Sequence, residues 1–331
     1  MTSTTRRGAL AAALGALALG RRSLAQGAAP PLSWPAERPV RLIVPLAAGG
    51  TSDFLARSLG NRLSELTGVT FVVENRTGGG GAVGWQAVAR SAPDGTTIGL
   101  MDNALPIALA LGRELGFDPR TELEPVSLLV NYAPVVVVSP SLPVTDLAGF
   151  VNYARQRPGE LFFGSGGGGS STHLQTELFQ EVAGLRLNHV SYRGMAQAVT
   201  DLVGGRLQLL VSGVPTVLGQ LRSGALRALA VGTEGPRLAV LPAVPSARET
   251  GLDFVVQSSF GIAAPRGTPA PTLARMQAAM AAALASPELR QRLEESGGAA
   301  VGSTPEEYRR AILEEAERWT RIVRERGIQA E

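Results

Sequence analysis

The chain contains no cysteine and no lysine, and only two histidines, His173 and His189. Without cysteine there is no disulfide framework, no thiol nucleophile and no Cys-ligated metal. Two histidines cannot make a His-rich metal centre. Without lysine no glycine turn can end in the Gly-Lys-Ser/Thr of a phosphate-binding P-loop. All 31 cations are arginines, a bias of composition that carries no functional signal. Aromatic residues make up only 5% of the chain. No basic patch interleaved with aromatics is present, so nucleic acid is not an expected partner.

The formal charge of +3 is unevenly placed. Arg6, Arg7, Arg21 and Arg22 lie in the first 25 residues, which hold no acid, so the remainder carries +3 minus 4, or −1. The run from Ala9 to Gly20 is apolar but well short of the ~20 residues that span a bilayer. With Arg6-Arg7 before it and Ser23-Leu24-Ala25 after it, the segment reads as an export signal, of Sec or twin-arginine type. Residues 1–25 are expected to be a signal peptide, and 26–33, rich in proline, alanine and glycine, a flexible leader. The remaining protein is expected in the periplasm.

With 331 residues, 44% of them hydrophobic, the chain is long enough for two ordinary domains. The pattern alternates strand, turn and helix. Residues 40–44 read as a buried strand and Ala47-Ala48-Gly49-Gly50-Thr51-Ser52 as a glycine turn. A helix with Leu55, Leu59 and Leu63 on one face follows. Residues 71–73, the turn Gly78-Gly79-Gly80-Gly81 and a helix over 83–92 repeat the plan. Residues 161–163, the turn from Gly164 to Ser171 and a helix over 172–182 repeat it again, with Thr172 and Gln175 at capping-box spacing. Val135 to Val138 is an unbroken β-branched run, as in a strand buried on both faces. Strand, helix, strand at this spacing predicts parallel sheet with right-handed crossovers. Ser303-Thr304-Pro305-Glu306-Glu307 starts a last helix whose apolar face carries Tyr308, Ile312, Ala316, Trp319 and Val323.

All three glycine turns fall where strands run into helices. In parallel α/β sheets that edge binds ligands. Helix N-termini offer unpaired N–H groups and partial positive charge, and the hydroxyls of Thr51, Ser52, Ser170 and Ser171 add donors. Such a site suits a carboxylate held without an arginine. Against this stand two enzyme readings. Gly79-x-Gly81-x-x-Gly84 with Asp102 downstream fits a dinucleotide fingerprint, but its glycines begin several residues after the strand. Ser165 and Ser170 lie near His173 in sequence, but there is no G-x-S-x-G elbow. His173 is expected at the cleft rim, and His189 in a structural role.

Several segments carry a further pattern. They are Trp34-Pro35-Ala36-Glu37-Arg38-Pro39-Val40-Arg41-Leu42-Ile43-Val44-Pro45 with Ala47-Ala48-Gly49-Gly50-Thr51-Ser52-Asp53, then Val73-Glu74-Asn75-Arg76, Ala92-Pro93-Asp94-Gly95-Thr96, Ser165 through Leu174, and Tyr192-Arg193-Gly194. Leu226 to Val231, Phe260 to Pro265, Gly267-Thr268-Pro269 and Gly302 to Glu307 continue it. In this order they resemble the substrate-binding proteins of tripartite tricarboxylate transporters, the Bug or TctC-like family. The resemblance implies a type II periplasmic binding-protein fold, with two α/β lobes about a cleft joined by two crossing strands. One lobe would hold 34–134 plus 257–331 and the other 135–256, hinged near 135–138 and 255–258. It implies no enzyme activity, no cofactor and a monomer. The ligand would be a small organic acid, handed to the membrane subunits of a tripartite tricarboxylate-type transporter. A sensor feeding a signalling receptor would have the same lobes and remains an alternative.

The ligand-binding residues expected on this reading are Ala48, Gly49, Gly50, Thr51 and Ser52 from the first turn, Gly80 and Gly81 from the second, and Asn103. The second lobe would add Ser165, Gly167, Gly168, Ser170, Ser171 and Ser212. The chain departs from the family pattern at Asp102-Asn103, Gly168, Gln208 and Ser212. Asp102 could pair with a ligand ammonium or cap a loop.

Overall fold

The computed structural model describes residues 34–35, 38–233, 235 and 237–326. The expected signal peptide and leader therefore lie outside the described residues. No helix among the described residues is long and apolar enough to cross a membrane.

The first half of the chain runs β1 (Val40–Val44), α1 (Thr51–Thr67), β2 (Phe71–Asn75), a 3-10 turn (Gly79–Gly81), α2 (Ala82–Ala89), β3 (Thr97–Met101), α3 (Ala104–Ala110), α4 (Pro119–Glu122) and β4 (Leu123–Tyr132). A second set follows: β5 (Pro134–Val138), α5 (Leu147–Arg155), β6 (Phe162–Ser165), α6 (Ser171–Ala183), β7 (Asn188–Ser191), α7 (Met195–Val203), β8 (Leu209–Gly213), α8 (Val214–Arg222) and β9 (Arg227–Val231). The chain then returns through β10 (Ser258–Pro265), α9 (Ala270–Ala285), α10 (Pro287–Glu294), β11 (Gly298–Ala300) and α11 (Pro305–Arg326).

Two sheets result, in the orders β11-β4-β10-β3-β1-β2 and β7-β6-β8-β5-β9. The fold is thus two α/β lobes. In each, one group of strands is parallel: β1 with β2 and β3, and β6 with β7 and β8. The first crossing between sheets is the single residue Ala133 between β4 and β5, slightly ahead of the expected 135–138. The second crossing returns alongside it. The Gly232 N–H donates to Pro134 O (2.7 Å) and the Val256 N–H to Gly232 O (3.1 Å).

The core explains these elements. Leu55, Leu59 and Leu63 of α1 are fully buried against Val40, Leu42 and Val44 of β1. Burying each such leucine contributes roughly 1.5–3 kcal/mol. In β5, Val136 and Val138 enter one apolar cluster and Val135 and Val137 another, which is why no polar residue interrupts the run. The start of α11 is capped reciprocally: Glu307 Oε2 accepts from the Thr304 N–H (2.8 Å), and Thr304 Oγ1 from the Glu307 N–H (3.2 Å). Twenty-two residues at ~1.5 Å each give this helix a length of roughly 33 Å. Tyr308 packs in the cluster around β3, and Trp319 enters the second lobe's core beside Phe179 and Phe254. The helix thus straps one lobe to the other.

One capping expectation is corrected. The N-cap of α6 is Ser170, whose side chain accepts from the His173 N–H (3.4 Å), not Thr172. Gln175 reaches instead across to Ser258 Oγ (3.0 Å).

Candidate ligand-binding site

Because the parallel strands of both lobes end in helix N-termini, each lobe has an edge of strand-to-helix turns. The two edges face each other. Thr51 Oγ1, in the first turn of α1, lies 2.9 Å from Thr216 Oγ1 in the first turn of α8. Gly213 lies directly under Thr51, where a Cβ would collide with the threonine hydroxyl. The 3-10 turn before α2 meets the loop before α6, with Gly168 O 3.0 Å from where a Gly80 Cβ would sit. Gly80 also needs its left-handed backbone (φ 63°), so no other residue fits there without strain. The Ser171 hydroxyl, at the start of α6, donates to Asp102 Oδ2 at the end of β3 (3.4 Å).

A cavity of about 480 Å3 opens in this seam, lined by Leu46 and residues 77–81 of the first lobe and by 166–168 and 191–193 of the second. Of the expected site residues, Gly80, Gly81, Gly167 and Gly168 line it. Thr51 and Ser171 are buried at contacts between the two edges, and Ser52, Ser165, Ser170 and Ser212 are buried outside the lining. Ala48 and Gly49 are exposed and Gly50 half-buried at the N-cap of α1. Asn103 is placed elsewhere. Its Nδ2 donates to Gln257 O (2.6 Å) and Glu315 Oε1 (3.0 Å), and its Oδ1 accepts from the Ser259 N–H (2.6 Å). It ties α3 to the returning strand and to α11. Asp102 and Asn103 line a second cavity of about 400 Å3 under α11.

The first turn is held from behind. Asp53 Oδ2 accepts from the Gly49 N–H (3.1 Å), and Asn75 Nδ2 donates to both Asp53 Oδ1 (3.1 Å) and Leu46 O (2.9 Å). Burial alone would raise the Asp53 carboxyl, but hydrogen bonds from Arg57, Gly49 and Asn75 hold it below the usual carboxylate range. The first intrahelical bond of α1 runs from the Phe54 N–H to Gly50 O. The N–H groups of Thr51, Ser52 and Asp53 therefore precede the helical ladder, as donors at a positive dipole end.

The second lobe is organised differently. The Gly166 N–H donates to Thr172 Oγ1 (3.0 Å), Gly167 to Ser165 Oγ (3.2 Å), Gly168 to Ser191 Oγ (3.0 Å) and Gly169 to His173 Nδ1 (3.0 Å). The loop's glycine amides are thus turned into their own lobe. Accepting at Nδ1 leaves the proton of neutral His173 on Nε2, toward Glu177 (3.6 Å). His173 is 2% exposed and stacks on His189 at 3.8 Å, beneath the loop and not at the cleft rim as expected. His189 Nε2 lies 2.7 Å from Ser165 Oγ, the opposite end of the same scaffold.

Burial pushes the Asp102 carboxyl up to about 6, against the pull of the Ala104 N–H and the Ser171 hydroxyl. The Ala104 contact, at 3.2 Å, is the loop cap that short acids make at turns. Burial and the neighbouring Asp201 push the Tyr192 phenol up to about 12; its hydroxyl donates to Asp201 Oδ2 (2.7 Å).

The sequence reading missed the second wall of the cavity, 191–193, and with it an arginine. Arg193 lines the cavity, correcting the expectation of a site without one. Arg113 also enters the seam, its Nη1 reaching Gly168 O (3.5 Å). Tyr192-Arg193-Gly194 was visible only as a family-like segment, since nothing in the sequence brings β7 beside the second glycine turn. Gly84, the third glycine of the dinucleotide-like pattern, allows close packing instead: a Cβ there would lie 2.7 Å from Pro45 Cα. Among the described residues, no group of three or more His, Asp or Glu is placed to hold a metal.

Residues 55–328 of the chain match the model of the tripartite tricarboxylate transporter family receptor, TctC. The chain belongs to that family. BugT of Bordetella pertussis is 37% identical over 307 residues, covering 91% of this chain and 94% of that protein. Among solved structures, periplasmic binding protein BugD is 30% identical with a TM-score of 0.86, covering 89% of this chain and all of that one. An R. palustris protein solved with adipate is 36% identical with a TM-score of 0.85, covering 89% and 99%. MatC from Rhodopseudomonas palustris, solved with malate, is 30% identical with a TM-score of 0.83, covering 87% and 99%. As a TctC/Bug receptor the chain is a periplasmic-type solute-binding protein and not an enzyme.

Proposed function

We propose that this receptor captures a small carboxylate, of the di- or tricarboxylate kind, in the cavity between its lobes. It then presents the acid to the membrane subunits of a tripartite tricarboxylate-type transporter. The observation that carries this reading is the lining of the 480 Å3 cavity, where glycine turns from both lobes converge and the one formally charged side chain is an arginine. Backbone N–H groups at the start of α1, beside the cavity and outside its lining, would reach one carboxylate through bridging waters. The adipate and malate bound by two relatives are acids of this class.

The lobes would be 34–134 with 257–331 and 135–256, turning about Ala133 and the returning strand. The seam contacts Thr51–Thr216 and Ser171–Asp102 join residues from opposite lobes, so they hold only when the lobes are together. Closure would bury the ligand and form the surface that the transporter reads. Residues 1–25 would direct export to the periplasm.

A thermal-shift screen of C4–C6 mono-, di- and tricarboxylates against the protein without residues 1–25 tests this. A ligand present at a hundred times its Kd stabilises the native state by about 2.7 kcal/mol. At least one dicarboxylate should raise Tm while its diamide does not. Equal shifts from acid and diamide, or none from any acid, refute the reading.

A further inference from the structure

The two lobes do not offer an anion the same donors. In the first lobe the N–H groups at the start of α1 come before the helical ladder. In the second, the amides of Gly166, Gly167, Gly168 and Gly169 already donate to Thr172, Ser165, Ser191 and His173. What that loop turns toward the other lobe is Gly168 O, a carbonyl oxygen that Arg113 meets. A second carboxylate at this wall would find a carbonyl already met by Arg113 and loop amides already committed within their own lobe. The second lobe's strong donor must be a side chain.

We propose that Arg193 is that donor and the specificity-determining residue of the cleft: it takes the ligand's second carboxylate and so separates dicarboxylates from monocarboxylates. The proposal rests on the carboxylate reading above and deepens it.

Three features set Arg193 in this role. It is the one formal charge among the residues lining the cavity. Its side chain makes no ion pair or hydrogen bond with any described residue and is exposed. The backbone that carries it is pinned on both sides. Before it, the Tyr192 N–H donates to Ser165 O (3.1 Å) and the Tyr192 hydroxyl to Asp201. After it, Gly194 is buried against Ala47 of the opposite lobe. The guanidinium therefore stands on a fixed base at the meeting of the lobes, with its donors uncommitted. A planar guanidinium gives a carboxylate two parallel hydrogen bonds. A monocarboxylate of the same length leaves it facing an apolar tail.

The test is calorimetric titration with succinate, glutarate and adipate, each against its monomethyl ester, which keeps the length and removes one charge. The wild-type protein should favour at least one diacid over its ester. Arg193→Gln should weaken that diacid roughly tenfold, the size of one charge-assisted pair, and the ester less than twofold. The diacid's salt dependence should flatten in the variant, and Arg193→Lys should keep part of the preference. An unchanged Tm shows that the variant is folded. Arg193→Gln leaving the diacid-to-ester ratio intact overturns the proposal, and so does a wild-type protein that binds diacid and ester equally. A wild-type protein that binds none of these diacids removes the dicarboxylate reading itself, and the role of Arg193 with it.

Discussion

Asp102 is buried, 5% exposed, and bears no cation partner among the described residues. Its carboxyl stands at about 6 in the fold against 3.8 ordinarily. Between these values the folded protein keeps the proton and the unfolded chain gives it up. The stability this group contributes is therefore complete below about pH 4 and is lost as pH rises through about 6. The interval of about two units corresponds to ~3 kcal/mol at 1.36 kcal/mol per unit. Asp102→Asn copies the protonated shape: its amide oxygen can still accept from the Ala104 N–H and its amide nitrogen can meet the Ser171 hydroxyl. At pH 7.5 the variant should be more stable than wild type by up to ~3 kcal/mol, or roughly 6 °C in Tm at about 2 °C per kcal/mol. At pH 4 the gain should vanish. Melting both proteins across pH 4–8 isolates the effect, because Asp53, Glu74 and Asp94, whose pKa values are lowered, act equally in the two. A Tm difference that stays flat over this range, or a variant less stable at pH 7.5, refutes the reasoning.

Gly213→Ala should spare the fold, since its backbone (φ −63°, ψ 140°) accepts a side chain, yet weaken ligand binding tenfold or more by driving the methyl into Thr51; calorimetry with Tm as control decides this. Thr51→Val removes one hydroxyl of the pair with Thr216 and should weaken binding about fivefold, the size of one neutral hydrogen bond of about 1 kcal/mol. Trp319→Ala should destabilise by about 3–5 kcal/mol, because the ring is fully buried in the second lobe's core and its Nε1 bonds Glu315 (2.8 Å). Urea titration followed by circular dichroism would show a shift of less than 1 kcal/mol if α11 were not a strap.

The sequence by itself determined what local chemistry can write. Leu55, Leu59 and Leu63 recur at helical spacing, so α1 and its buried face were legible. Val135 to Val138, an unbroken β-branched run, read as a strand covered on both sides. Thr304 and Glu307 announced the start of α11, and each glycine turn stood where a strand passes into a helix. The resemblance carried the family and the two-lobed fold. Tertiary structure alone decided which turns meet. Strand β7 lies at the edge of its sheet beside β6, and that pairing, made between residues 26 apart in Phe162↔Asn188, is what brings Arg193 to the cavity. The same holds for Asn103, drawn to Gln257 and Glu315, and for His173, drawn beneath Gly169 to hold its amide. Side-chain periodicity records which face of an element is buried. It holds no record of which distant backbone atom a polar side chain will find, because that partner is fixed by the register and packing of segments far away along the chain.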